Sequence, residues 1–117
     1  MGVTAHRAQD VVVAVDGGGS KTDAAIVSRT TGDVLGRHRG PGCSQHDLGP
    51  EQAARVVDEC VRAALRDAGV DPGDVVHAGC YLTAIDLPDE QVAMTALLAR
   101  TSWGARSLAV ENDLFAL

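Results

Sequence analysis

The chain has 117 residues and a mass of 12.1 kDa, enough for one hydrophobic core and too little for two comfortable ones. Hydrophobic residues make up 45% and charged residues 22%, with mean hydropathy near zero, a balance that excludes a polar disordered tail. Sixteen Asp and Glu against ten Lys and Arg leave a formal charge of −6, which excludes nucleic acid and anionic membrane as partners because both demand a basic surplus.

Met1 to Asp10 shows no periodicity and reads as a loose leader without a secretory apolar region. The longest apolar run, Val11 to Val15, has five residues, where a membrane span needs about 20, so a cytoplasmic protein is expected. Val11 to Asp16 is apolar on both alternating faces until its last residue, the pattern of a central strand with a carboxylate at its tip. Gly17-Gly18-Gly19-Ser20 breaks the chain, Asp23 to Ser28 resumes as a second strand, and Thr31-Gly32-Asp33 turns into a third over Val34 to Arg39. Three successive strands on short turns make an antiparallel meander.

Gly40 to Gly49 is irregular, after which Pro50-Glu51 opens a helix. Ala53, Val56, Val57, Cys60, Ala64 and Leu65 recur at helical spacing, and Gly69 is its stop. Asp71 to Asp74 is a turn, Val75 to Leu82 a buried strand, Leu87 to Leu98 a second helix, Ser107 to Glu111 the last strand, and Leu114 to Leu117 the start of another helix. The order strand-strand-strand-helix-strand-helix-strand is a mixed α/β sheet. Right-handed crossovers make the later strands parallel to the first, placing Asp16 and Asp113 at the carboxyl ends of parallel strands, where open α/β sheets bind ligands. The odd set Cys43, Cys60 and Cys80 contains no Cys-x-x-Cys pair, so reduced thiols are expected rather than a disulfide or a metal site, with Cys60 and Cys80 in the core.

The strongest local signal is Asp16-Gly17-Gly18-Gly19-Ser20-Lys21-Thr22. Three glycines let backbone N–H groups approach an anion, Ser20 and Thr22 offer hydroxyls, and Lys21, the only lysine, adds a point charge. The Walker pattern fails because Ser20 stands where glycine is required, and the dinucleotide fingerprint fails because a strand follows instead of a helix. The alternative is a tight hairpin with spare glycines. Asp16 is placed to hold Mg²⁺ through waters, or merely to cap the turn. Asp113 is a candidate general base or, read alone, an N-cap of the following helix.

Together, Asp16 to Thr22 on a hairpin, Gly40-Pro41-Gly42-Cys43-Ser44 through Leu48-Gly49 before a helix, and Val110-Glu111-Asn112-Asp113 resemble the actin/hexokinase/Hsp70 superfamily. Within it the chain resembles the BadF/BadG/BcrA/BcrD-type ATPase family, which includes N-acetylglucosamine kinases, over Val11 to Leu117. The resemblance implies a ribonuclease-H-like domain and transfer of the ATP γ-phosphoryl group to a sugar hydroxyl in a cleft between two such domains. It implies that Asp16 organises Mg²⁺, that the turn from Gly17 to Thr22 meets the phosphates, that Asp113 accepts the hydroxyl proton and that Asn112 helps hold the sugar. Ser44 stands where the family carries a sugar-contacting Asn, and Tyr81 to Asp86 lacks the family's glycines there.

By the same resemblance residues 11–117 form an N-terminal half without the second domain, marginally stable and inactive alone. A homodimer or a complementing C-terminal domain is then the expected partner. Two readings compete with a sugar kinase. One is an ATPase activating a partner dehydratase or reductase, a role in which cysteines hold an iron–sulfur cluster, with no matching cysteine arrangement here. The other is a non-catalytic sugar sensor or truncated domain; a sensor would need a helix-turn-helix, for which the ten residues ahead of the first strand are too few.

Overall fold

The computed structural model describes residues 9–113. Most of the expected leader and the helix expected over 114–117 lie outside the described residues. Five strands, β1 (Val11–Gly17), β2 (Lys21–Ser28), β3 (Val34–Pro41), β4 (Val75–Leu82) and β5 (Leu108–Asn112), form one sheet in the order β3-β2-β1-β4-β5. β1 pairs antiparallel with β2, and β2 with β3, whereas β4 runs parallel to β1 and β5 parallel to β4. This is the mixed α/β sheet that the meander and the two crossovers require.

Both strands of the first hairpin run further into the glycine turn than their apolar pattern shows, because Gly17 pairs with Thr22 and Lys21 with Pro41. The helices are α1 (Gln45–Leu48), α2 (Pro50–Ala68) and α3 (Pro88–Leu98). Short α1 occupies the stretch expected to be irregular, since four residues carry no readable period. α2 begins with Pro at its first turn and stops where Gly69 adopts φ +66° and donates to the carbonyls of Arg66 and Leu65.

The core lies between one sheet face and the helices. Val11, Val13, Val15, Ala24 and Ile26 point into it from β1 and β2, and Val57, Val61 and Leu65 meet them from α2. On the opposite face Val12 and Ala25 are half-buried, while Ala14 and Asp16 are exposed. Among the described residues no helix is long and apolar enough to cross a membrane.

Trp103 is fully buried although it lies in the aperiodic segment between α3 and β5, and its Nε1–H donates to Asp58 Oδ1 of α2 at 2.8 Å. The sequence pattern put Asp58 on the solvent face; the indole draws it in because a buried N–H needs an acceptor. Asp58→Ala leaves that donor unsatisfied and is expected to cost about 1–3 kcal/mol, read as a lowered urea midpoint and altered Trp103 fluorescence.

Candidate functional site

The carboxyl ends of the three parallel strands lie side by side. Asp16 on β1 faces Tyr81 on β4, and Tyr81 faces Glu111 on β5, two residues ahead of Asp113. Neighbouring strands are about 4.8 Å apart, so the Asp16 and Glu111 backbones are separated by about two such steps, and Asp113 follows two residues beyond at the same end of the sheet. One side chain senses both. Burial pushes the Cys43 thiol up, the adjacent Thr22 hydroxyl opposes this, and the Asp16 and Asp113 carboxylates push it up further. The two carboxylates that the sequence singled out thus lie at one end of the sheet, both close enough for their charges to act on the Cys43 thiol.

The glycine turn is held from beneath by the loop after β3. Gly18 N donates to Lys21 O at 2.8 Å, Cys43 N donates to Gly18 O at 3.0 Å, and Thr83 N donates to Gly17 O at 2.8 Å. A methyl group on Gly42 would sit 2.1 Å from the Gly19 oxygen and 2.5 Å from its carbonyl carbon, so this backbone approach demands glycine. Gly19, Ser20 and Lys21 are exposed at the tip, Gly18 is half-buried, and the N–H groups of Gly19 and Ser20 are engaged by no backbone hydrogen bond among the described residues.

Thr22 departs from the expectation of a phosphate-binding hydroxyl. It is fully buried, and its Oγ1 makes no hydrogen bond of ordinary geometry and lies against the Cys43 thiol. Strand alternation is the cause: Thr22, Ala24 and Ile26 all face the helices. The accessible rim is therefore Gly18 to Lys21, with Gly17 and Thr22 closing the turn from inside.

The expected sugar-contacting residues are placed as follows. Ser44 is buried ahead of α1, its carbonyl accepting from the N–H groups of Asp47 and Leu48. The Asn112 side-chain amide donates to Ile85 O at 3.0 Å and to Asp86 Oδ1 at 2.9 Å, tying the β5 tip to the β4–α3 loop. Gln45, which sequence reasoning passed over, is buried and donates from Nε2 to Ala84 O at 2.9 Å. Ala84 has φ +63°, the left-handed region that favours glycine, within the Tyr81 to Asp86 segment that lacks the glycines the resemblance implies. Gln45 also lines a cleft of about 290 Å³ with His46, Pro50, Asp89, Glu90 and Ala93.

A wider groove of about 540 Å³ runs over the opposite sheet face beside Asp16, lined by Ala14, Asp23, Ala25, Arg37, Arg39 and Tyr81. Across it Arg39 Nε donates to Asp23 Oδ1 at 2.7 Å. This bond, chiefly, holds the Asp23 carboxyl below its ordinary value against the opposing effect of burial, with the charges of Arg39 and Lys21 adding to it.

The donor set at the strand tips fits magnesium. Asp16 is exposed and Asp113 half-exposed, both supply hard oxygens, and the nearby soft donor Cys43 is a buried thiol with a raised pKa. Cys60 is also raised, chiefly by burial, and burial pushes the Cys80 thiol up to about 12. All three cysteines are free and buried. A thiolate-specific reagent at pH 7 is therefore expected to react slowly with the native protein and with three equivalents rapidly in guanidinium, which a thiol titration checks.

The strand order and the meander define a mixed α/β domain of ribonuclease-H-like, actin-like fold. Among solved structures, the chain is similar to a provisionally described N-acetylglucosamine kinase from Chromobacterium violaceum, with a TM-score of 0.65, 18% identity and coverage of 92% of this chain and 36% of the other. A provisionally described N-acetylglucosamine kinase from Porphyromonas gingivalis follows at 0.59, 20% identity and coverage of 87% and 34%. A reductive activator for a corrinoid, iron–sulfur protein gives 0.53, 16% identity and coverage of 87% and 18%. The chain thus spans about a third of the length of the two kinase-described structures. No family model matches the chain, and no curated protein matches it significantly.

Proposed function

We propose that this chain forms one wall of an ATP-dependent sugar kinase of N-acetylglucosamine kinase type, located in the cytoplasm. The observation that carries the reading is the placement of Asp16 and Asp113 at one end of the sheet, beside an exposed glycine turn. ATP phosphates lie over the rim from Gly18 to Lys21, where backbone N–H groups and the Lys21 ammonium meet negative charge. Mg²⁺ held through waters by Asp16 would supply charge neutralisation at the phosphates. Asp113 accepts the proton of the sugar hydroxyl as that oxygen bonds to the γ-phosphorus and the bond to the β-phosphate oxygen breaks, leaving ADP. Ser44, Asn112 and Gln45 form the side on which the sugar is positioned.

The likeness to longer structures supports placing the other wall in a complementing domain or a second subunit, with the 117 residues inactive by themselves. A coupled assay of ADP release with Mg²⁺, ATP and a panel of amino sugars tests this. Sugar-dependent turnover in the complete enzyme and none from the isolated chain is the expected result; ADP release indifferent to every sugar contradicts it. A second reading, an ATPase that activates a partner reductase, is favoured by the likeness to the reductive activator. The burial of all three thiols in separate elements disfavours their holding a surface iron–sulfur cluster.

A further inference from the structure

We propose that His46, Asp86 and Glu90 form a binding site for a divalent transition metal, with zinc as its best match, separate from the magnesium position at Asp16. The three residues come from different elements: His46 from α1, Asp86 from the loop after β4 and Glu90 from the first turn of α3. One ligand atom from each lies within 4.8 Å of the other two, and His46 Nε2 is already 3.0 Å from Glu90 Oε2.

The arrangement is oriented by neighbours in the way metal ligands are. Glu90 Oε1 accepts the N–H groups of Asp86 at 3.1 Å and Leu87 at 2.9 Å, which aims Oε2 at His46. The Asn112 amide donates to Asp86 Oδ1, fixing that carboxylate against the β5 tip. Zinc bonds to nitrogen and oxygen are about 2.0–2.2 Å, so the ligand atoms must close to about 3.5 Å from one another. The His46–Glu90 pair meets this, and exposed Asp86 requires a small side-chain rotation. One imidazole with two carboxylates suits zinc, nickel or copper, whereas magnesium prefers oxygen alone. His46 and Asp86 are exposed and Glu90 half-buried, leaving room for water to complete the shell. The bound ion would clamp α1 to the start of α3, beside Gln45 and Asn112.

Titration of zinc chloride into the 117-residue chain by calorimetry is the test, with magnesium chloride in parallel. The expected result is saturable one-to-one zinc binding that magnesium does not compete with, together with a zinc-dependent rise in melting temperature. His46→Ala, at an exposed position, abolishes both effects. Glu90→Gln keeps an oxygen for the α3 cap while weakening the binding, and Asn112→Ala weakens it by about 10–100-fold through Asp86. Absence of saturable binding, or binding undiminished in both His46→Ala and Glu90→Gln, overturns the proposal. Because this readout needs neither ATP nor sugar, it stands or falls apart from the kinase reading.

Discussion

Replacing Asp113 with Asn in the complete enzyme is expected to lower kcat by about 10²–10⁴-fold, with KM for ATP and sugar changed far less. The magnitude is that of a positioned general base, and the kinetic pattern follows because the amide keeps the shape of the carboxylate but cannot take the hydroxyl proton as the phosphoryl group transfers. Asp113 is half-exposed just past β5, so the substitution leaves the fold intact and the stability change should fall within about 0.5 kcal/mol. Steady-state kinetics with a matched urea denaturation check both halves. A kcat within threefold of the parent would remove Asp113 from the reaction and return it to the role of a helix cap.

Gly42→Ala is expected to lower kcat/KM for ATP by about 10²-fold while Gly19→Ala has little effect. The contrast comes from space. A methyl on Gly42 meets the Gly19 carbonyl at 2.1 Å and Ser20 N at 3.0 Å, whereas one on Gly19 meets nothing within 4 Å. The obstacle at Gly42 is backbone, so the exposed tip must shift, and a displacement of about 1 Å at a phosphate-positioning element costs on this scale. Overpacking at this joint should cost about 1–3 kcal/mol of stability. Comparing ATP kinetics and urea midpoints of the two variants separates loss of the turn from loss of the fold. Equal kinetics for both would show that the turn does not position phosphate.

The frame of the sheet was legible because apolar alternation in Val11 to Val15 and Val75 to Leu82 and the 3.6-residue period of α2 are burial patterns, and burial decides this topology. The shared end of Asp16 and Asp113 followed from parallel pairing: β1, β4 and β5 run in the same direction, so their carboxyl tips lie at one end of the sheet. What escaped was set by single contacts. Thr22 looked like part of a donor row, yet extending the alternation of Ala24 and Ile26 by one step turns it inward. Gln45 lies in a four-residue helix with no period to read, and its partner is a backbone carbonyl 39 positions away. Trp103 is buried in the apolar core with its N–H satisfied by Asp58 on α2, a partner 45 positions away that local sequence cannot announce.

The most direct measurement is an amide NMR titration of the isotopically labelled 117-residue chain with a non-hydrolysable ATP analogue and Mg²⁺. Coincident, saturating shifts at Gly18 to Lys21 and at Val110 to Asp113, with the far ends of the strands unmoved, are the predicted result. Shifts confined to one of those two segments, or centred on the Arg37 and Arg39 groove instead, would contradict a shared phosphate crevice between the glycine turn and Asp113.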